Sequence, residues 1–351
     1  MSCSKKYDLV FITHIPSFYK VNLYNEIVKN RKILVIFLAR KSIHRTVDFY
    51  DFNMNFDHFY AYEGNYEARI SILTSIKIAL ILTKISYRKI ILCSWDVLET
   101  WLLICLHRRR NLFLTLESTI FESINKGLKG FLKKIFVQRV SLVFASGLPH
   151  RRLLDSLGFN GKIIITGGVG LPRRNKFISK PEKKVFAKKF LYVGRLSKEK
   201  NILFLLNAFS NPVLSSLKLT IVGSGPLKSD LIAAAPSNVH FVDYVNNLDL
   251  FKIYNRHDVF ILPSISETWG LVVEEALSAG LPILCSENVG CSEDIVLNMN
   301  SGRVFDPQDQ ESLVRSILSV CKNYSHFRNS ALRINFLVRD RLQINAYVNC
   351  L

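Results

Sequence analysis

The sequence lacks the cysteine patterns that hold zinc or build disulfide scaffolds. Its seven cysteines include no C-x-x-C pair and no spacing typical of metal ligands. We therefore expect reduced, mostly buried thiols, as in cytosolic proteins, and no metal site. Long apolar runs are also missing, because charged residues interrupt the two longest stretches, 70–82 and 90–106. Since a membrane-spanning helix needs about 18 apolar residues in a row, we predict no transmembrane helix.

The composition excludes disordered, collagen-like and disulfide-rich classes, since 49% of the residues are hydrophobic and only 21% are charged. At roughly 150 residues per domain, a chain of 351 residues predicts two domains. The first twelve residues run directly into a strand-like segment, so we expect no cleavable signal peptide before it. These features together predict a globular, cytoplasmic protein.

Acidic residues are scarce in the first half of the chain. Residues 1–189 contain 33 Lys and Arg against 13 Asp and Glu, whereas residues 190–351 contain 14 against 15. The net charge of +19 therefore arises before residue 190. A nucleic acid, an anionic membrane surface or a phosphorylated substrate would each account for it, and so would an ordinary solvated surface.

Short apolar runs alternate with helical stretches through both halves of the chain, which predicts parallel sheets covered on both faces. We predict an α/β fold with two doubly wound, Rossmann-like domains and a cleft between them. The predicted parts are an N-terminal domain (1–171), a basic linker (172–189), a C-terminal domain (190–325) and a helical tail (326–351) that packs back on the first domain. Ligands bind beyond the carboxyl ends of the strands in such sheets, so the loops there should carry the function.

Two of these loops in the second half suit a phosphate ligand. The segment 192–201 reads YVGRLSKEKN, in which a strand ends at Gly194 and is followed by Arg195 and Lys200. A planar guanidinium and a compact ammonium at one strand end suit a diphosphate, although two solvated surface cations are the simpler interpretation. The segment 222–227 reads VGSGPL, where Gly223 and Gly225 would let a ligand approach the backbone or form only a turn.

A third loop, 262–290, combines carboxylates with a helix N-terminus. Glu267 lies in the loop after a predicted strand, and Glu275 lies one and a half turns into the following helix, which Gly270 opens. The backbone amides of residues 268–271 form an anion site with the helix dipole. Carboxylates repel phosphate, so the two glutamates suit hydroxyl groups, whereas Glu274 reads as an ordinary surface residue. A hexose and a ribose joined by a diphosphate would satisfy all these groups.

Taken together, residues 190–320 resemble the donor-binding domain of the large retaining GT-B glycosyltransferase family usually numbered 4, the glycosyl transferases group 1. The shared motifs are a G-R-L strand end followed by Lys, a V-G-x-G-P turn and an E-x7-E element that ends in E-A-x-A-x-G-x-P. Their positions here are Gly194, Arg195, Leu196, Lys200, Val222, Gly223, Gly225, Pro226, Glu267, Gly270, Glu275, Ala276, Ala279, Gly280 and Pro282. Asn201 and Asp243 stand where the family often has glycine.

The resemblance implies a role for each of these residues. Arg195 and Lys200 would stabilise the leaving nucleotide diphosphate, and Glu275 would hold the ribose hydroxyls. Glu267 would position the sugar together with the backbone of Thr268, Trp269, Gly270 and Leu271, and the backbone near Val245 would contact the base. It also implies a UDP- or GDP-sugar co-substrate, no other cofactor, and no metal, since the two cations and the helix N-terminus supply the charge.

The first half resembles the family more loosely, through a Pro-x-x-Tyr-Arg element at residues 16–20. Its candidate acceptor-binding residues lie at predicted strand ends: His14, Tyr19, Trp95 and Glu117. For His14 and Trp95, a structural role in the core or in a loop is the simpler interpretation.

The resemblance predicts a retaining glycosyltransferase that moves a hexose-type sugar to a cell-surface glycan or a lipid-linked saccharide. Segments 107–110 and 126–139 combine cations with apolar residues, which predicts a peripheral position on the anionic inner face of the cytoplasmic membrane. Alternatives are another GT-B nucleotide-sugar enzyme such as an epimerase, a catalytically silent scaffold, or a basic nucleic-acid-binding protein. No RNP, zinc-finger or KH signature supports the last of these.

Overall fold

A computed structural model describes residues 5–50, 52–172, 185–247 and 249–351. It divides the chain into two compact units. Unit 1 comprises Met1–Leu171 and Leu337–Leu351, and unit 2 comprises Pro172–Phe336. Most of the predicted basic linker, residues 173–184, lies outside the described residues.

Unit 1 is built on one parallel sheet of seven strands. The strands are β1 (Lys6–Thr13), β2 (Ile33–Phe37), β3 (Asp57–Tyr60), β4 (Ser86–Leu92), β5 (Leu112–Leu116), β6 (Leu142–Ala145) and β7 (Lys162–Ile165). Their order in the sheet is β3-β2-β1-β4-β5-β6-β7. β2 and β6 are apolar along their whole length, as expected for a sheet buried on both faces.

Helices cover both faces of this sheet. They are α1 (Phe18–Ile27), α2 (Ser71–Thr83), α3 (Leu98–Leu106), α4 (Gly127–Gln138) and α5 (Leu148–Ser156). One apolar core contains side chains of α2 to α5, and a second core on the other face contains those of α1. The prediction of a doubly wound parallel sheet is therefore confirmed for the first half.

Unit 2 is built on a parallel sheet of six strands. The strands are β8 (Lys189–Val193), β9 (Lys218–Val222), β10 (Val239–Val242), β11 (Val259–Leu262), β12 (Ile283–Ser286) and β13 (Gly302–Phe305). The helices are α6 (Ile202–Phe209), α7 (Lys228–Ala233), α8 (Leu250–Asn255), α9 (Leu271–Ser278), α10 (Gln310–Lys322) and α11 (Tyr324–Arg333). The strand order β10-β9-β8-β11-β12-β13 is again that of a doubly wound sheet, which confirms the predicted α/β class.

The last helix, α12 (Phe336–Val348), returns to unit 1. Its Tyr347 stacks on Phe144 of β6 with ring centroids 4.3 Å apart. The tail that packs on the first sheet begins at Leu337 and not at residue 326. Residues 326–336 remain in unit 2 because α11 is anchored there, where the buried Arg328 donates a hydrogen bond to the Gly280 carbonyl oxygen at 3.1 Å.

Two strands of the structure are not predicted by the pattern of apolar runs in the sequence. β3 is an edge strand that carries Asp57 and His58, and β13 begins at Gly302, so neither shows a continuous apolar run. The sequence pattern predicts a first helix from about Val21, whereas α1 begins at Phe18.

Among the described residues, no helix is both long and apolar enough to cross a bilayer. Six cysteines are described and all are free thiols. Three of them are buried, one is exposed and two are intermediate, so the expected burial holds for half of them.

Candidate functional site

In unit 2 the predicted site residues lie in loops at the carboxyl ends of neighbouring strands. β8 lies between β9 and β11 in the sheet, so the loops that follow these three strands meet at one edge. They contain, respectively, Arg195 and Lys200, then Gly223 and Gly225, then Glu267. This is the edge at which open parallel sheets bind ligands.

Two of these loops are joined backbone to backbone. The amide of Gly194 donates to the Val222 carbonyl oxygen at 3.0 Å, and the amide of Leu196 donates to the Ser224 carbonyl oxygen at 2.9 Å. A Cβ atom on Gly223 would lie 2.0 Å from the Gly194 carbonyl oxygen. One on Gly225 would lie 2.4 Å from the Leu196 carbonyl oxygen. Both glycines are therefore required by the approach of one loop to the other.

The structure brings Lys200 and Glu267 together. The ammonium of Lys200 forms an ion pair with the Glu267 carboxylate, and the two side chains are 18% and 19% exposed. Asn201, which follows Lys200, adopts a left-handed conformation with φ of 57°. Asn tolerates this region better than most residues, so it replaces the usual glycine without disturbing the loop. Its side chain also donates to the Pro307 carbonyl oxygen at 3.0 Å.

Backbone contacts with the loop after β12 hold the Glu267 loop in place. The Gly290 amide donates to the Glu267 carbonyl oxygen at 2.9 Å, and the Cys291 amide donates to that of Trp269 at 3.0 Å. Gly270, with φ of 97°, is the N-cap of α9. This left-handed turn, which favours glycine, starts α9 three residues after Glu267, so the first amides of the helix belong to the same loop region.

Glu274 is not the surface residue that the sequence suggested. It is 2% exposed, and the buried indole of Trp269 donates to its Oε1 atom at 2.6 Å. The pair connects the loop to α9. The side chain of Trp269 is therefore structural.

Glu275 lies half-buried on α9, where it accepts a hydrogen bond from the Tyr254 hydroxyl at 3.1 Å. Burial and the adjacent carboxylate raise the pKa of Tyr254 well above its usual value, so the phenol stays a donor. This contact orients the predicted ribose-binding carboxylate. Tyr254 was missed, because an isolated Tyr on α8 has no motif to mark it.

The remaining predicted donor residues lie at the same edge. Arg195 is exposed, and its carbonyl oxygen accepts a hydrogen bond from the buried Tyr192 hydroxyl at 3.0 Å, which anchors the backbone and leaves the guanidinium outside. Thr268 is exposed and Leu271 is half-buried. Val245 is half-buried in the loop after β10, where Asp243 forms an ion pair with Lys228.

Unit 1 has its own polar cluster at the carboxyl ends of its strands, centred on an ion pair. The Lys20 ammonium lies 2.7 Å from the Glu117 carboxylate, and the two line a small cavity of about 20 Å³ that Tyr347 of α12 also borders. Burial alone would lower the pKa of Lys20, but the charge of Glu117 outweighs it and raises the pKa. Glu117 was predicted and Lys20 was missed, although Lys20 occupies the last position of the Pro-x-x-Tyr-Arg element.

His14 lies beside this cluster. Burial, together with the positive charge of Lys20, lowers the pKa of His14 to about 4, so the imidazole is neutral near pH 7. Its Nε2 atom lies 4.0 Å from the Cys93 sulfur, and its ring meets that of Tyr66 edge-on at 5.7 Å. His14 is thus packed by its neighbours and presents a neutral ring.

The other two predicted acceptor residues are held by aromatic packing. Trp95 is 5% exposed, and the Lys133 ammonium lies 5.4 Å from the centre of its ring. Tyr19 packs edge-on against Phe49 at 6.2 Å. The structure therefore brings His14 close to the Lys20–Glu117 pair, and it places Trp95 in a largely buried position.

The sequence of the site-bearing unit is similar to a known family. Residues 173–334, which make up most of unit 2, match the family model of the glycosyl transferases group 1, which confirms the resemblance found in the motifs.

Relatives and solved structures agree with this assignment. The chain is 28% identical over 219 residues to an uncharacterized glycosyltransferase of Methanocaldococcus jannaschii, over 60% of this chain and 53% of that protein. It is 29% identical over 186 residues to the O-antigen biosynthesis glycosyltransferase WbnH of Escherichia coli, over 52% and 51%. It thus spans about half the length of these two relatives. The fold is similar to the lipopolysaccharide outer core galactosyltransferase WaaB, with a TM-score of 0.73, 15% identity and coverage of 98% and 100%. The predicted GT-B fold class is confirmed.

Proposed function

We propose that this protein is a retaining glycosyltransferase that uses a nucleotide-diphosphate sugar as donor. The observation that supports it most is the pairing of Lys200 with Glu267 at the strand end that also carries Arg195. A cation for a diphosphate and a carboxylate for sugar hydroxyls then lie side by side. We assign the ribose hydroxyls to Glu275, which Tyr254 orients.

In the proposed reaction, the acceptor hydroxyl oxygen bonds to the anomeric carbon while the bond from that carbon to the phosphate oxygen breaks. The departing phosphate oxygen takes the acceptor's proton on the same face of the sugar, so the anomeric configuration is retained. Arg195, Lys200 and the first amides of α9 stabilise the negative charge that develops on the diphosphate. Because these groups are positioned in advance, we propose that the reaction needs no metal ion.

The donor is tested first by thermal stabilisation with a panel of UDP-, GDP- and ADP-sugars, and then by turnover with the stabilising donor. Lys200→Ala and Arg195→Ala should each lower turnover by about two orders of magnitude, as removal of a preorganised charge does elsewhere. Lys198→Ala is the matched control, since Lys198 is an exposed lysine of the same loop. Wild-type turnover in the Lys200 and Arg195 variants would refute their role. Free nucleotide without a glycosylated product would favour the epimerase alternative.

For the acceptor we propose a lipid-linked saccharide of surface glycan assembly, reached from the inner face of the cytoplasmic membrane. The O-antigen relative supports this acceptor class. A second support is the outer surface of α2, α3 and α4, which we call the apolar face.

On α4, four large apolar side chains are between 41% and 74% exposed: Leu128, Phe131, Leu132 and Ile135. On α2, four more are between 50% and 62% exposed: Ile72, Leu73, Ile76 and Leu80. α3 joins the two helices, since it packs on α2 and its Trp101 ring lies 5.0 Å from that of Phe136 on α4. Neither α2 nor α4 contains an acidic residue, and lysines flank the apolar side chains. Such a basic amphipathic surface suits an anionic leaflet.

Vesicle co-sedimentation tests the membrane proposal. Lys129→Glu/Lys134→Glu should weaken binding to anionic vesicles by about tenfold or more, because each lysine near the surface contributes roughly 1 kcal/mol. Leu73→Ser/Ile76→Ser should weaken binding at every salt concentration, because it removes apolar insertion. Leu203→Ser, at an equally exposed leucine of unit 2, is the control. Vesicle binding that depends neither on anionic lipid nor on salt would contradict the proposed binding to an anionic membrane surface.

A further inference from the structure

Unit 2 contains a recess at the edge of its sheet opposite to the candidate donor site. The recess has a volume of about 770 Å³ and includes the first residues of β8, β9 and β10. The donor residues lie beyond the carboxyl ends of the strands, so the full length of the strands separates the donor site from the recess. None of the roles assigned above uses this recess.

The strand register aligns polar side chains in the recess. Lys189 of β8 is the register partner of Lys218 on β9, so the two lysines stand next to each other on one face of the sheet. Thr220 lies on that same face two residues later, and its partner on β10 is His240. A sheet face in a doubly wound domain is normally apolar, so three adjacent strands with polar residues here are unusual.

The residues that follow the short helix α8 border this face. α8 is only six residues long, and the residues after it, Arg256 and His257, line the recess. His257 is held at both ring nitrogens, with Nδ1 2.7 Å from the Ile253 carbonyl oxygen and Nε2 2.9 Å from the Thr220 hydroxyl. The floor of the recess is therefore rigid and polar.

The charged side chains that line the recess are positive. Lys189, Lys218 and Arg256 line it, and no carboxylate of the described residues forms an ion pair with them. The nearby Asp258 is fully buried and accepts a hydrogen bond from the backbone amide of Lys189 at 2.9 Å. Like charges side by side on adjacent strands are unfavourable unless an anion lies between them. Lys218 and Arg256 belong to residues 190–351, which have almost no net charge, whereas Lys189 is the last residue of the basic first part of the chain.

We propose that this recess binds a soluble phosphate ester, such as a phosphorylated sugar or a nucleotide, as a second ligand of the protein. Arg256 offers a planar fork for phosphate oxygens and the two lysines offer compact charges. The volume is within the range of small-molecule sites, about 300–1,000 Å³. This proposal does not depend on the sugar-transfer reaction.

Titration calorimetry of the full chain with pyrophosphate tests it, with variants that separate the two anion sites. Arg195→Ala/Lys200→Ala removes the donor-site cations and should leave one pyrophosphate site. In that background, Lys189→Gln/Lys218→Gln should weaken the remaining binding by about tenfold or more, since it removes two charge-assisted contacts. Lys252→Gln, an exposed lysine paired with Asp249, is the control and should change nothing.

Unchanged pyrophosphate affinity in Lys189→Gln/Lys218→Gln would overturn the proposal, as would a complete loss of binding in Arg195→Ala/Lys200→Ala alone. If instead the donor-site proposal is wrong, Arg195→Ala/Lys200→Ala has no effect while the recess variant still loses binding. A lipid headgroup is the alternative source of phosphate. Lys189→Gln/Lys218→Gln should not change binding of the protein to phosphatidic acid vesicles in a flotation experiment. Loss of that binding would mean that the recess binds a lipid headgroup and not a soluble phosphate ester.

Discussion

The two units place polar groups at the carboxyl ends of similar sheets but hold them by different means. In unit 2, backbone contacts between loops define the site, and Gly223 and Gly225 allow the loops to touch. In unit 1, side chains define it, through the Lys20–Glu117 pair and the packed His14. A site made by backbone contact needs glycine at given positions and therefore has a recognisable motif. A site made by side-chain packing has no fixed spacing, which explains why only unit 2 matches the family closely.

If backbone contact defines the unit 2 site, one added methyl group should have the largest effect of all. Gly223→Ala places a Cβ atom 2.0 Å from the Gly194 carbonyl oxygen, which the two loops can relieve only by separating. We expect unit 2 to lose about 3 kcal/mol of stability and the protein to lose donor stabilisation. Hydrogen exchange of unit 2 peptides and thermal shifts with the donor measure both.

Gly158→Ala is the control for this prediction. Gly158 also has a positive φ, of 65°, but nothing lies within 4 Å of its added Cβ. It should lower stability by only about 1 kcal/mol, the penalty for the left-handed conformation alone. Equal effects of the two substitutions would mean that the contact between loops is not what Gly223 provides.

If side chains define the unit 1 cluster, removing one charge should loosen it. Lys20→Met leaves Glu117 without its partner at the small cavity, and we expect a loss of about 2 kcal/mol, reduced from the value for a fully buried pair because Glu117 is 31% exposed. Hydrogen exchange in β1 and β5 measures it. Lys29→Met removes an exposed pair with Glu26 and should change stability by less than about 0.5 kcal/mol. Similar losses of stability in Lys20→Met and Lys29→Met would show that the buried pair stabilises unit 1 no more than the exposed pair does.

The pH dependence of unit 1 should show a contribution from His14. Its pKa is about 4 in the folded protein and about 6.5 when unfolded, so the unfolded chain binds the extra proton first as the pH falls. This stabilising contribution is complete above pH 6.5 and is lost as the pH falls toward 4, by about 3 kcal/mol. The free energy of unfolding, measured with urea between pH 4 and 7, should depend less steeply on pH in His14→Gln than in wild type. His44→Gln, at an exposed histidine of the same unit, should show the same pH dependence of the unfolding free energy as wild type.

The smallest expected effect is a gain in stability. Lys218→Gln removes the repulsion from Lys189 on the adjacent strand, so we expect unit 2 to become more stable by a few tenths of a kcal/mol in the absence of phosphate. Added pyrophosphate should stabilise the wild type more than Lys218→Gln, so that the wild type becomes the more stable of the two. A variant that is less stable than wild type without any anion would contradict the repulsion.

Much of unit 2 could be predicted because its determinants are local. The strand ends, Asn201 at the left-handed position, and Gly270 at the start of α9 each follow from short segments. The contacts of Tyr254 with Glu275 and of Trp269 with Glu274 could not be predicted in the same way. The first joins two elements 21 residues apart, and the second buries a glutamate that its position on the helix marked as exposed.

The sequence by itself determined the class of fold, the prediction of a phosphate-binding loop at Arg195 and the similarity of unit 2 to the glycosyl transferases group 1, because apolar periodicity and glycine spacing act over a few residues. Only the tertiary structure decided which side chains meet: Lys200 with Glu267, Lys20 with Glu117, and Lys189 with Lys218. These pairs depend on strand order and register, which bring together residues that lie 29 to 97 positions apart in the chain. The apolar face of α2 to α4 likewise exists only because the helices lie side by side on one sheet.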